Sequence, residues 1–363
     1  MRACVWAFVS VVAVESRETL FYAFGDWGED RHEFRQTVAQ LHAQPRPRFV
    51  GLLGDSFYPR GVRSADDPQF RLFDAFSDIS DSFYVALGNH DYGYSESVGA
   101  LIAHSDVDAK WVMPSQYFMK RMPLGDNREL CVFVLDTHVF EPAQLRWLRD
   151  SLGSCQSGNA FRVIFTHYPL LSVGLYAYES KVTRLQGLLF PLIRDFGVHA
   201  YVSGHEHQMQ AFEKNGVHYL ISGATAQMNR NKRGHPEAWR NELKFVEHND
   251  AGFLAFTLED DSTLSYKFIR ASDGRQLYGA TIPLTISRPH APSVPVTSAR
   301  PVVPATSRNG RDNDNSKTDQ SSTSEGRSSD VKGTLSTTDD NSGTAGWVCS
   351  TPIAVYLFAL FSV

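Results

Sequence analysis

Five short loops in this chain each carry a residue that a metal ion would take as a ligand. They are Gly-Asp26-Trp-Gly, Gly-Asp55-Ser-Phe-Tyr58, Gly-Asn89-His90-Asp91, Thr-His167-Tyr and Gly-His205-Glu-His207. Four of the five directly follow an apolar, strand-like run. In an open α/β sheet, ligands gather outside the carboxyl ends of the strands, so loops far apart in sequence are expected to converge on one rim. A carboxylate shared by two cations must present both oxygens, and Gly54 before Asp55 allows the tight loop that this needs. Each fragment alone is weak, because Gly-Asp and lone histidines are common. Gly-His-X-His is more specific, since alternate residues of an extended loop can serve two adjacent metals. The five in this order point to two metal ions side by side and to hydrolysis of a phosphate ester.

Residues 18–288 alternate between strand-like and helical patterns. Strands are expected at Leu20–Phe24, Phe49–Leu53, Phe83–Leu87, Leu130–Leu135, Phe161–Phe165 and Ala200–Val202. Helical spacing is carried by Phe34, Val38 and Leu41, by Phe70, Phe73 and Phe76, by Leu145, Leu148 and Leu152, and by Leu185, Leu188, Leu189 and Leu192. Pro142 suits a first helical turn, and Gly197 suits a helix end. Beyond Met209 the pattern changes. Asn215-Gly216 predicts a hairpin, and Phe253–Leu258 and Leu264–Ile269 flank a second turn at Asp260-Asp261. The fold class expected is α/β (α+β), a two-layer mixed β-sandwich flanked by helices.

Both ends of the 363-residue chain differ from its middle. Residues 1–16, with Arg2 before an apolar run from Ala3 to Val14, read as a secretory signal peptide; a Val-rich first core strand is the alternative. Residues 17–288 form the expected catalytic domain. Residues 289–346, rich first in Pro and then in Ser, Thr, Asp and Asn, cannot bury enough apolar surface to offset the cost of ordering, and read as a stalk. Residues 347–363 form an apolar tail. With Asn341, Ser342 and Gly343 before it, the tail fits a GPI-attachment signal, and a C-terminal transmembrane helix is the rival. These features put the catalytic domain in the secretory pathway, extracellular or luminal, held to a membrane through its C-terminus. Cys131 and Cys155 remain between the signals, as a disulfide or as two free thiols. A net charge of −5 and the lack of a Lys/Arg block give no reason to expect nucleic acid.

The motif set resembles the calcineurin-like metallophosphoesterases and, within them, the small animal-type (tartrate-resistant) purple acid phosphatases. The resemblance spans roughly residues 20–285. Besides the five loops it includes Val-Leu-Asp-Thr (134–137), Thr-His-Tyr-Pro (166–169) and Ile-Ser-Gly-Ala (221–224). Most of the superfamily has Asp-X-His in the first loop; here that position is Gly28, and Tyr58 stands three residues after Asp55. The resemblance implies Fe(III) held by Asp26, Asp55, Tyr58 and His207. It implies a divalent ion, Fe(II), Zn(II) or Mn(II), held by Asp55, Asn89, His167 and His205, with Asp55 bridging. A metal-bound hydroxide would attack small-molecule phosphomonoesters, phosphoproteins among the candidates. His90 would stabilise the phosphoryl oxygens or protonate the leaving group.

Two departures from the resemblance bear on function. Animal-type relatives carry a second histidine nine residues after the counterpart of His167, where this chain has Tyr176. Asp136-Thr137 also runs almost directly into the Pro142 helix, so a long covering loop is not expected and the site should be open. The alternative reading is a membrane-anchored scaffold on the same fold with little catalysis. A related phosphodiesterase or nucleotidase fits less well, given Tyr58 and Gly28.

Overall fold

The computed structural model describes residues 19–285 except 126, 156–157, 231–233 and 261. The expected signal peptide, stalk and tail lie outside the described residues, as does Asp261 of the expected second turn. In chain order the first strands are β1 (Thr19–Phe24), β2 (Phe49–Leu52), β3 (Phe83–Val85) and β4 (Trp111–Val112). Next come β5 (Phe118–Gly125), β6 (Arg128–Val134), β7 (Ala160–Phe165), β8 (Ala200–Ser203), β9 (Met209–Lys214), β10 (Val217–Ser222) and β11 (Leu243–Glu247). Last are β12 (Gly252–Asp260), β13 (Thr263–Arg270) and β14 (Gln276–Pro283). The α-helices are α1 (His32–Ala43), α2 (Arg71–Asp74), α3 (Ser97–Ala103), α4 (Pro142–Ser154) and α5 (Ser180–Phe196).

These strands form two seven-stranded sheets, ordered β14-β13-β12-β1-β2-β3-β4 and β11-β9-β10-β8-β7-β6-β5. The chain lays down β1 to β4 as a parallel half-sheet and builds the whole second sheet. It then returns to the first, where β12 pairs antiparallel with β1. The centre of the second sheet, β6-β7-β8-β10, is parallel as well.

Side-chain alternation sorts each central strand between two cores. Phe21 and Ala23 of β1 face the space between the sheets, whereas Tyr22 and Phe24 join Phe34 and Leu41 of α1 in an outer core. In β7, Phe161, Val163 and Phe165 point inward, and Ile164 packs with Leu148 and Leu189 of the helices on the other side. Phe21 ties the layers together, stacking on Phe49 at 4.8 Å and Phe256 at 4.2 Å and meeting Phe165 edge-on at 5.5 Å. Truncating such a residue to alanine costs on the order of 3–5 kcal/mol.

The structure matches the expected two-layer mixed sandwich flanked by helices. Asn215 and Gly216 adopt φ of 55° and 76°, as a two-residue primed hairpin turn requires. Gly197 ends α5 with φ 62°. The Phe70–Phe76 pattern differs from expectation. It forms a 3₁₀ turn (Pro68–Phe70) and the four-residue α2 rather than one longer helix. Phe70, Phe73 and Phe76 all still reach the outer core.

Candidate metal centre

Every expected ligand loop leaves the carboxyl end of a strand. Asp26 follows β1, Asp55 follows β2, Asn89 follows β3, His167 follows β7 and His205 follows β8. The two sheets thus bring their loops to one shared rim. Asp26, Asp55 and His205 all adopt left-handed backbone conformations, with φ of 58°, 53° and 69°. Non-glycine residues pay roughly 1 kcal/mol or more each for this, and the surrounding contacts must hold them there. The Asp26 amide donates to Gly54 O at 3.0 Å, and the His205 amide donates to Asp26 Oδ2 at 2.9 Å. A Cβ on Gly88 would stand 2.1 Å from Asp55 Oδ1, so the third loop closes on the second only without a side chain there.

The donor atoms form two sets that share Asp55. In one, Tyr58 Oη lies 3.2 Å from Asp26 Oδ1, 3.0 Å from Asp55 Oδ2 and 3.4 Å from His207 Nε2. His207 Nε2 is also 3.4 Å from Asp26 Oδ1. In the other, His167 Nε2 lies 3.4 Å from Asp55 Oδ1, 3.1 Å from Asn89 Oδ1 and 3.2 Å from His205 Nδ1. One atom from each of Asp26, Asp55 and His167 falls within 4.8 Å of the other two.

Protonation makes the second set unusual. His167 Nδ1 is 2.9 Å from Leu53 O, which can only accept, so the proton sits there and Nε2 keeps its lone pair. His205 Nε2 is 3.0 Å from the Glu179 carboxylate, which selects the Nε2–H tautomer of the neutral ring and leaves Nδ1 as that tautomer's lone pair. Asp55 Oδ1, Asn89 Oδ1 and His205 Nδ1 thus all lie within 3.4 Å of the His167 Nε2 lone pair. Burial drives His167 down to about 3, so a proton is a poor way to relieve the crowding. A cation with nitrogen and oxygen ligands fits. In the first set, burial and then the Asp26 and Asp55 charges push the Tyr58 phenol well above its ordinary range. A cation among these oxygens would reverse that effect.

Gly28 occupies the position where a histidine ligand stands in most of the superfamily. A Cβ there would lie 2.4 Å from Ser56 O and 2.5 Å from Phe57 N. The backbone carrying Tyr58 fills the space, and the Tyr58 amide donates to Gly28 O at 3.0 Å. His90 is placed at the edge of the donor cluster. Its Nδ1 contacts Pro59 O at 2.7 Å, its Nε2 is 3.9 Å from Asp55 Oδ2, and the side chain is 36% exposed.

Several residues that support the site carry no ligand signal in the sequence. Asp91 accepts from the Ser56 amide at 2.9 Å and the Gly88 amide at 2.8 Å, clamping the second and third loops together. Glu206, between the two histidines of the fifth loop, points the opposite way and is fully buried. It accepts from Ser172 Oγ at 2.9 Å, the Leu175 amide at 3.1 Å and the Tyr176 amide at 2.6 Å. Tyr176, where a second histidine is absent, packs its ring 4.4 Å from that of His205, and Tyr168 does so at 4.2 Å. The local signals that could have found them are acidic residues inside otherwise apolar motifs, which must be hydrogen-bonded if buried.

The connection from β6 to α4 spans only residues 135–141 and is tied down by Asp136. Its Oδ1 accepts from the His138 and Val139 amides at 2.9 and 3.0 Å. A buried disulfide joins Cys131 on β6 to Cys155 at the end of α4. Among the described residues, no helix is long and apolar enough to cross a membrane.

Comparison with known proteins agrees with this geometry. The family model described as calcineurin-like phosphoesterase matches residues 19–209. The chain is 29% identical to tartrate-resistant acid phosphatase type 5 of Homo sapiens over 306 residues, covering 72% of this chain and 90% of that protein. It is 23% identical to glideosome-associated protein 50 of Plasmodium falciparum over 318 residues, 75% of this chain and 78% of that one. Among solved structures, the anchor protein of the Plasmodium inner membrane complex aligns with a TM-score of 0.64 at 20% identity, covering 74% of this chain and 90% of that one. A purple acid phosphatase from yellow lupin seeds aligns with a TM-score of 0.53 at 18% identity, covering 74% and 54%. Since the matched stretch holds all five loops that meet on the shared rim, the chain belongs to the calcineurin-like phosphoesterase family.

Proposed function

We propose that this protein is an acid phosphatase acting on phosphate monoesters at a binuclear Fe(III)–M(II) centre. The observation that carries the reading is the gathering of Asp55, Asn89 and His205 around His167 Nε2, beside a second set that includes the Tyr58 phenol. Asp26, Asp55, Tyr58 and His207 would hold Fe(III), and Asp55, Asn89, His167 and His205 would hold Fe(II), Zn(II) or Mn(II). When bound, two adjacent cations offset the charge of a phosphate and acidify a water enough to make it a nucleophile at low pH. The phenol of Tyr58 is a hard anionic donor once deprotonated, which suits a ferric ion.

The chain's own residues supply orientation and protons. His90 donates Nδ1–H to Pro59 O, which turns Nε2 toward the donor cluster and solvent. From there it can hold a proton for a departing alkoxide or donate to a phosphoryl oxygen. Tyr176 keeps its phenolic proton, because burial and then the Glu206 and Asp26 charges raise it above the ordinary range. It is therefore a neutral donor where relatives place a histidine. The short 135–141 connection leaves the rim uncovered by any long loop from that side.

The reading extends to location. Similarity to tartrate-resistant acid phosphatase, together with the Cys131–Cys155 disulfide, supports an oxidising, secretory setting for the domain. The stalk and apolar tail would tether it to a membrane. A second reading is a membrane-anchored scaffold, favoured by the alignment with the Plasmodium anchor protein. Full-length protein from a secretory host should be coloured, contain iron, and hydrolyse p-nitrophenyl phosphate best at acid pH. Colourless, iron-free protein removes the ferric assignment, and an iron-loaded protein without turnover favours the scaffold.

A further inference from the structure

Outside the expected ligands, the turn at residues 176–179 folds back onto His205. The Glu179 amide donates to Tyr176 O at 3.0 Å, closing the turn, and Glu179 O accepts from the Thr183 amide at 3.0 Å, fixing it to the start of α5. Two side chains of this turn touch one imidazole. Tyr176 packs its ring 4.4 Å from that of His205, and Glu179 Oε2 lies 3.0 Å from His205 Nε2. The turn is anchored in its own right, because Glu206 takes the amides of Leu175 and Tyr176 and the hydroxyl of Ser172. Glu206 is the chain neighbour of His205. The fifth loop therefore holds the turn through one residue and is held by it through the next.

The geometry points to Glu179 as a positioning residue that fixes the tautomer and ring orientation of His205 and thereby sets the affinity of the divalent site. This rests on the two-metal reading above. A histidine can offer Nδ1 as a lone pair only if Nε2 carries the proton, and a carboxylate at 3.0 Å selects that tautomer. Among the described residues, Glu179 makes no hydrogen bond or ion pair with Asp26, Tyr58 or His207; its carboxylate partner is His205. The effect should therefore be confined to one of the two metals.

The test uses full-length wild type, E179A and E179Q, each loaded with iron and stripped of the divalent ion. Zn(II) is then titrated against a competing chelator. E179A should bind Zn(II) about 10–100-fold more weakly than wild type, the usual loss for such a partner. E179Q, whose amide oxygen can still accept from Nε2–H, should recover most of that loss. The visible absorption of the ferric–Tyr58 pair should be unchanged in both variants. Zn(II) affinity in E179A within twofold of wild type would overturn the proposal. So would loss of the ferric band, or an E179Q no better than E179A. If E179A does not fold, E179Q alone decides, because a Zn(II) affinity within tenfold of wild type is required of it. Wild type that binds a single metal, or none, would instead overturn the two-metal reading.

Discussion

His167 Nε2 and His205 Nδ1 face each other at 3.2 Å, with Leu53 O and the Glu179 carboxylate placed on the far side of each ring. Burial makes protonation at His167 unfavourable, so the folded chain keeps an unmet demand for positive charge. Metal that binds only the folded state should meet it. At about a thousandfold excess over its dissociation constant, one ion contributes about 4 kcal/mol. For a domain of this size that raises the melting temperature by on the order of 10 °C. Thermal unfolding with Zn(II) and with a strong chelator measures the difference, and coincident curves would remove the cation from the account.

Gly28 is where a side chain is excluded by backbone rather than by other side chains. In G28A the new Cβ meets Ser56 O and Phe57 N at 2.4 and 2.5 Å, neither of which can rotate away. The loop must shift, carrying Tyr58 with it. A stability loss of about 1–3 kcal/mol is expected, together with a weakened or displaced visible absorption in the iron-loaded protein. Denaturant titration and absorption spectra report the two effects separately. The same geometry explains why a histidine ligand cannot be restored by substitution at this position alone.

The sequence carried the site further than the edges of the fold. The loops of the seven expected ligands were legible because four of the five directly follow a buried strand whose apolar run ends abruptly, usually through a glycine. β5, β11 and β14 were not, because they are edge strands with mixed exposure. Pro123 sits within β5, as only an edge or bulged strand permits. The segments Met119–Met122 and Gln276–Thr281 alternate too weakly to stand out from loop. Glu179 was illegible for another reason. Its role exists only once the turn at 176–179 has folded back on a loop 26 residues away in sequence. Local spacing cannot report such a contact.

The short connection between β6 and α4 predicts the response to proteases. Asp136 holds the His138 and Val139 amides, and Gln144 Nε2 donates to Asp136 O at 2.9 Å. Only seven residues, 135–141, separate the strand from the helix. Little chain is available here to cover the rim or to be cut. Phosphatase activity before and after limited proteolysis should agree within about twofold, with no cleavage mapped to this segment. A large activation after a cut here would contradict an open site.

Acid should weaken the fold through His199, which lies away from the metal centre. Its Nδ1 accepts from the Arg162 amide at 3.1 Å and its Nε2–H donates to Leu284 O at 2.8 Å, so only the neutral ring satisfies both. Burial lowers it from an ordinary 6.5 to about 4. The sign follows from which state binds the proton. Above pH 6.5 neither the folded nor the unfolded ring is charged and nothing is lost. Between 6.5 and 4 the unfolded chain takes up a proton that the folded one refuses, so stability falls by about 3 kcal/mol, and below 4 the loss levels off. In H199N the amide oxygen can still accept from Arg162, but the bond to Leu284 is lost. That costs about 1 kcal/mol at pH 7.5. The variant should then lose less stability than wild type on acidification and approach or overtake it near pH 4. Denaturant midpoints of both proteins at pH 7.5, 5.5 and 4 provide the test, and parallel decline of the two would assign the acid sensitivity elsewhere.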